Sequence, residues 1–535
     1  MRKSLVVTLF VLCFSFVSCL PVCAAQNTLT FSMETEIPSL DPQKSNSAPS
    51  FTVISHVFEN LIRRVDGKTV PGAAERWDIS EDGRTITFHL RDSQWSDGKP
   101  VTAHDFEYTI KRMLDPATAM EYAFAAYYIV GAEEYNLGKT KDANEVGVKA
   151  TDDKTLVITL KEPTPYFISF LGHGSFAPTR KDLVEKYGES YATDASNAAY
   201  NGPFILKEWK HEQTKVFEKN PYFWNKDAVK LDRVEIMVIA DTSTALSMFE
   251  AGEFDIVDVP SNLFKLYQDQ GDAKLFYNGA LDWLKVNMRE IPDKPWLANK
   301  NFRKAIGAAI DRDSYTIAST KGLYQPALRF ILPIVQGVEE HYGTEYPLDF
   351  YSPKQELDKA KDYMKKALEE LEIDDPSKIT IEYLIQDQEE TRLMAETLQQ
   401  QLQKNLGINF KIRLVTRKQR AQLEQVGDFE LVYSGWMPDY DDPMSYEEIW
   451  ISDSSHNTAK YASAEYDRLV KGAMVEKDAK KRMDMIFEAE KVILDDGPLI
   501  PLQLRRKAWM ANPNLHGFSR PLIGAEYDFA FAYFD

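Results

Sequence analysis

The sharpest concentration of reactive side chains is Ser434-Gly435-Trp436-Met437-Pro438-Asp439-Tyr440-Asp441-Asp442-Pro443. Carboxylates packed this closely could hold a hard cation such as calcium, which prefers oxygen ligands. They could also divide acid and base roles, or form a plain solvated acidic loop. Gly435 and Trp436 favour a site: glycine permits close backbone approach and tryptophan offers a flat apolar wall. A carboxylate beside them suits a cationic group such as an ammonium.

Other motifs fail on inspection. Gly67-Lys68-Thr69 and Gly138-Lys139-Thr140 end like phosphate loops, but Ile62 and Glu133 stand where the first glycine is required. Ser96-Asp97-Gly98-Lys99 matches a Ser-x-x-Lys pattern without its partner motifs, and Asp-Gly-Lys reads as a turn. The eight histidines are scattered; His89 and His104 read as surface or packing residues. All three cysteines, Cys13, Cys19 and Cys23, lie at the front, so the body carries no disulfide, zinc-thiolate site or cysteine nucleophile. No metal and no cofactor is expected.

The elements that must position the acidic run belong to a large foldable chain. Its 535 residues suggest roughly three domains. Hydrophobic residues make 44% and aromatic residues 12%, too many for disorder. The net charge is −19; taking away Arg2 and Lys3, the charges of residues 1–25, brings it to −21. Such a chain repels phosphate backbones, so no nucleic-acid partner is expected. The densest basic segment, Arg417, Lys418 and Arg420, is short.

The front end reads as an export signal. Arg2 and Lys3 precede the apolar stretch Leu5 to Val17, too short to span a bilayer comfortably, and cleavage is expected after Ala24 or Ala25. A second reading takes Phe16-Val17-Ser18-Cys19 as a lipobox with Cys19 lipidated. Either way the protein is expected to work outside the cytoplasmic membrane.

Along the mature chain, alternation predicts a strand over Leu29–Met33, and residues 52–62 show helical spacing. Hairpins are expected over Glu75–Arg91 and Val146–Leu160, with a helix between them opened by a Thr102/Asp105 capping box. Residues 59–182 therefore read as an inserted α+β unit. Strands follow over 231–239, 252–259 and 281–288, with a helix over 241–251. Amphipathic helices are expected over 354–372 and 477–495. A strand over Ile379–Ile385, a helix over Thr391–Asn405 closed by Gly407, and a strand over Ile408–Val415 make a βαβ unit, hence a parallel pair. The strand Phe429–Gly435 leads directly into the acidic run, and ligands of α/β sheets gather beyond the carboxyl ends of strands.

The chain resembles the peptide-binding (peptide/nickel) family of extracytoplasmic solute-binding proteins that feed ABC importers. The resemblance covers essentially all of the mature chain. It is carried by Ser39-Leu40-Asp41-Pro42, Pro71–Trp77, Trp95–Phe106, Asn201-Gly202-Pro203-Phe204, Lys219–Trp224, Asn301–Asp313, Asn405-Leu406-Gly407, Gly435-Trp436 and Ser452–Tyr461. It implies an α/β fold, periplasmic binding protein type II-like, with two hinged lobes and an inserted third α+β domain. Residues 1–25 are then the signal. Domain I takes 26–58, 183–288 and 506–535; domain II takes 59–182; domain III takes 289–505.

The resemblance also implies site residues. Family members bind extended peptides, largely through backbone hydrogen bonds. By position, Asp439 binds the peptide ammonium, and Gly435 and Met437 offer backbone pairing. Ala48 matches a strand partner from domain I, and Tyr122 a tyrosine near the ligand's amino end. Trp436 and Trp283 match aromatic pocket walls. Thr458 falls within the Ser452–Tyr461 run and is counted with the ligand-binding residues.

The chain departs from the family at the other end. Basic residues that anchor the ligand carboxylate in oligopeptide-binding members are here Tyr433 and Glu424, a histidine is Thr391 and a pocket tryptophan is Arg417. Two consequences stay open: longer peptides run out of the cleft, or Arg417, with Arg413 or Arg392, rebuilds the carboxylate site. A third is a non-peptide ligand such as a metal chelate, haem, an opine or a cell-wall peptide. The expectation is a periplasmic, monomeric, non-enzymatic carrier of small peptides that docks to a membrane ABC permease. The alternative from another class is a secreted hydrolase using the acidic loop.

Overall fold

A computed structural model of the chain describes residues 27–65 and 68–535. The expected export signal, its cleavage points, Cys19 and Gly67 lie outside these residues.

The frame is one 11-stranded mixed sheet. Its order runs Asn409–Val415, Thr380–Gln386, Leu431–Trp436, Lys274–Val286, Leu499–Ala511, Ile256–Val259, Thr28–Met33, Arg233–Val238, Thr214–Lys219 and Phe204–Lys210, with Gln325–Pro326 added to the Leu499–Ala511 strand. The two 13-residue strands, Lys274–Val286 and Leu499–Ala511, are antiparallel and join the halves of the sheet. Their register breaks between Tyr277 and Leu281, where Gly279 takes φ +77, a conformation costly for any residue with a Cβ.

The expected βαβ unit is present. Thr380–Gln386 pairs in parallel with Asn409–Val415 across the helix Glu389–Leu406, which ends at Gly407 with φ +73. The two expected hairpins form one antiparallel four-stranded sheet, Ala74–Ile79, Thr85–Leu90, Thr155–Thr159 and Val148–Asp152. The helix Ala103–Leu114 starts at the Thr102/Asp105 capping box and buries Phe106, Ile110, Met113 and Leu114.

Several boundaries differ from the sequence expectation. The helix expected over 52–62 is Ala48–Val57, because Ser47 caps its first turn and Ile62–Val65 instead pairs with Lys68–Pro71. The strand expected over 252–259 shortens to Ile256–Val259, since Gly252 turns the chain at φ +77. The strand expected at 281–288 begins earlier, at Lys274. The strand Leu499–Ala511 has no clear sequence signal: Pro501 and the run Arg505-Arg506-Lys507 hide its alternation. Yet Leu499, Ile500, Leu502 and Leu504 are all buried along it.

Candidate ligand-binding site

The Leu431–Trp436 strand is fully paired on one side only. It runs antiparallel to Lys274–Val286 from Leu431 through Trp436. On its other side Thr380–Gln386 meets it only at Leu431 and Val432. The Asn287 amide donates to the Glu430 carbonyl, so even-numbered residues turn their backbone groups toward Lys274–Val286. Odd-numbered residues therefore face the other way. The Tyr433 carbonyl does so, and accepts from Arg420 Nη1 at 2.7 Å. Beyond it, among the described residues, Gly435 and Met437, the latter just past the last paired residue Trp436, have no backbone hydrogen bond on this side, which leaves an open edge. Gly435 must be glycine: an added Cβ would stand 2.5 Å from Asp282 Oδ1 and 2.9 Å from the Leu281 carbonyl.

Asp439 lies just past this edge. Its backbone amide donates to Ser445 Oγ at 3.1 Å, which fixes the turn. No side chain among the described residues donates to its carboxylate. Burial alone pushes the carboxyl up to about 6 from an ordinary 3.8. It borders a cavity of about 90 Å³ walled by Phe51, Phe58, Ile62 and His173. Tyr122 stands nearby, its ring stacked on His173 at 5.4 Å and edge-on to Phe51 at 6.2 Å. Burial, and then the Asp439 charge, raise its phenol.

The other two carboxylates of the acidic run are committed elsewhere. Asp441 pairs with Arg64 and accepts the Gln336 amide at 2.9 Å. Asp442 takes a bidentate pair from Arg482, at 2.6 and 2.8 Å. Among the described residues no cluster of His, Cys, Asp and Glu is placed to hold a metal. The three carboxylates of the acidic run therefore do not converge on one cation: Asp441 and Asp442 turn to separate partners, and Asp439 stands apart from both.

At the opposite end of the open edge sits a second carboxylate, Glu424. Lys285 Nζ donates to it at 2.6 Å, Arg420 Nη1 at 2.8 Å and Ser434 Oγ at 3.1 Å. Burial would raise Glu424, but the two cations hold it below the usual carboxylate range. Thr458 Oγ1 accepts from Lys285 at 2.9 Å, so Thr458 belongs to this end. Trp436, half-buried, closes the wall with His456 edge-on at 5.2 Å. Burial, and then Lys285, lower the His456 imidazole.

The structure thus gathers Asp439 and Tyr122 at one end, Gly435, Trp436 and Met437 along the edge, and Thr458 at the other end. Ala48 and Met437 face one small cavity of about 60 Å³. Ala48 is, however, the first residue of a helix, and its carbonyl accepts Thr52 Oγ1, so it presents no strand edge. Trp283 is not a pocket wall: it is 1% exposed and packs between Phe330 and Trp450. Tyr433 points its ring to the opposite face, where its hydroxyl donates to Asp282 at 2.7 Å beside Arg505. Arg417 is exposed and makes no ion pair among the described residues. Arg413 pairs with Glu382 and Asp428, and Arg392 with Asp387.

Sequence reasoning missed Arg420 and Lys285. A signal for Arg420 existed. The Thr416/Gln419 capping box fixes where the helix Arg417–Val426 begins, and puts Arg420 and Glu424 four apart on one face.

The chain is similar to known proteins in both sequence and fold. The model of the bacterial extracellular solute-binding proteins, family 5 (middle) matches residues 68–458. The dipeptide-binding protein DppE of Bacillus subtilis is 32% identical, over 94% of this chain and 91% of its own length. Among solved structures, the unliganded open form of the periplasmic murein tripeptide-binding protein MppA has 28% identity and a TM-score of 0.83, covering 96% of this chain and 98% of that one. OppA of Listeria monocytogenes bound to peptide has 30% identity and a TM-score of 0.72, covering 96% and 99%.

Proposed function

Because this chain belongs to the family 5 bacterial extracellular solute-binding proteins, we propose that it captures short peptides in the cleft and hands them to an ABC importer. One observation carries the peptide reading: an open strand edge, Gly435 to Met437, ending beside a buried carboxylate that lacks a cationic partner. A peptide adds to such an edge through its main chain, and side-chain identity matters little. Its ammonium supplies the charge that Asp439 lacks. The names of the relatives, dipeptide-binding and oligopeptide-binding, agree with this.

The better match to an open unliganded form than to a peptide-bound one supports a cleft that stands open. The register break at Tyr277–Leu281 between the two long connecting strands is where the lobes would hinge shut. The division into domain I (26–58, 183–288, 506–535), domain II (59–182) and domain III (289–505) follows from this reading. So do export past the cytoplasmic membrane and a monomer that binds no nucleic acid. Among the described residues no helix is long and apolar enough to cross a membrane.

The reading includes no catalysis. Ser55, His56 and Asp528 stand in the order of a hydrolase triad, with Ser55 Oγ 3.2 Å from His56 Nδ1. His56 instead donates Nδ1–H to the Thr52 carbonyl at 2.6 Å, and Nε2 accepts the Phe529 amide at 2.9 Å. No ring nitrogen remains to take a serine proton.

Native mass spectrometry of the purified protein tests the proposal, followed by identification of what denaturation releases. Short peptides are the expected cargo. A single non-peptide molecule would overturn the peptide reading and leave the fold assignment standing.

A further inference from the structure

Resting on the peptide reading, we propose that Tyr446 latches the hinge: its hydroxyl, bonded to the hinge glycine, holds the ligand-free cleft open, and closure on a peptide breaks that bond. The two 13-residue strands Lys274–Val286 and Leu499–Ala511 join the halves of the main sheet, and their register slips between Tyr277 and Leu281. Gly279 lies inside the slip with φ +77. The place a Cβ would take there is bounded by the Leu522 carbonyl at 2.9 Å and by Pro438 Cδ at 3.2 Å. Leu522 belongs to the proposed domain I; Pro438 belongs to domain III and directly precedes Asp439. The hinge glycine is therefore wedged against a loop of each lobe, and only a residue without a side chain fits there.

Tyr446 reaches this point from domain III. Its hydroxyl donates to the Gly279 carbonyl at 2.8 Å, an ordinary length for an O–H donor. The ring is fully buried and edge-on to Phe330 at 5.9 Å, so packing fixes where the hydroxyl points. The bond is no part of the sheet ladder. The neighbouring Ser445 takes the Asp439 amide at 3.1 Å, so consecutive residues fasten the ligand turn and the hinge. A lobe rotation at the slip turns the Gly279 peptide plane and carries its carbonyl off the line of the hydroxyl. The bond is present in a structure that matches the open unliganded relative more closely than the peptide-bound one, which puts it in the open state. A contact made in one state only shifts the balance toward that state by its own free energy.

Calorimetry and small-angle X-ray scattering on the full protein test this, with alanine tripeptide, amino-free and amino-acetylated, as the probes. Tyr446→Phe removes the hydroxyl and keeps the ring against Phe330. It should bind both peptides more tightly by the same factor, about three- to tenfold, because the gain lies in the lobe balance and not at either end of the site. Its radius of gyration without ligand should fall below that of the unaltered protein, and the two should coincide once peptide saturates. Weaker binding, a gain for one peptide only, or unchanged ligand-free scattering would overturn the latch. A fluorotyrosine in place of Tyr446 tests the same bond with the hydroxyl kept. Its fluorine resonance should move when peptide saturates, and a resonance that stays put overturns the latch. If the unaltered protein binds neither peptide, the peptide reading falls, and the ligand-free scattering comparison decides the latch by itself.

Discussion

Two carboxylates stand at the two ends of one strand edge, and their surroundings are opposite. Glu424 is fed from within the protein: Lys285, Arg420 and Ser434 all donate to it. Asp439 receives no side-chain donor among the described residues, and burial alone lifts it to about 6. A neutralised buried charge is structural, and its partners hold each other in place. An uncompensated one costs stability that a ligand can return. In the proposed function, the uncompensated end is the one that takes the ligand's cation.

Breaking the fed end should have the largest effect. Glu424→Gln keeps the volume but leaves Lys285 and Arg420 without their shared anion. Removing one member of a buried ion cluster costs about 3–5 kcal/mol, expected here as a lower urea midpoint. Breaking the unfed end should act in two directions at once. Asp439→Asn should weaken binding of free-amino peptides by about 2–5 kcal/mol. The same change should stabilise the ligand-free protein at pH 7. The folded carboxyl keeps its proton up to about 6, whereas an unfolded aspartate loses it near 3.8. Ligand-free stability therefore falls as pH rises through this window, and the asparagine variant avoids a loss of about 1–3 kcal/mol. At pH 4 the gain should vanish. Melting curves at the two pH values check it.

A smaller effect should come from the edge between the ends. Gly435→Ala pushes a Cβ onto Asp282 and the Leu281 carbonyl, and should cost about 1–3 kcal/mol in stability. The smallest belongs to Arg417→Gln, on an exposed first turn, where melting should show a change within about 0.5 kcal/mol.

Much of this was legible before the structure. The Thr102/Asp105 box, the Gly407 stop and the βαβ alternation are local signals, and local physics decided them. The Gly435-Trp436…Asp439 run was legible because its residue types are unusual together. What failed was non-local. Whether Trp283 faces a pocket or the core depends on its pairing opposite Ser434 and on Phe330 and Trp450 behind it, none of which its own strand reveals. Arg417 and Arg420 lie three apart, close on one helix face, and only the contacts of Arg420 with Glu424 and, non-locally, with the Tyr433 carbonyl distinguish it from the exposed Arg417. Leu499–Ala511 was missed because charge and proline masked a strand whose burial is set by its neighbours.

The most direct test of the account is calorimetric affinity for one tripeptide, with its amino terminus free and acetylated, from pH 8 to pH 5. Asp439 must be ionised to hold an ammonium. The free peptide should therefore lose affinity below about pH 6, approaching tenfold per unit, while the acetylated peptide binds weakly and shows no such fall. Equal affinities, or the same pH profile for both peptides, would contradict the claim that Asp439 is the ammonium site.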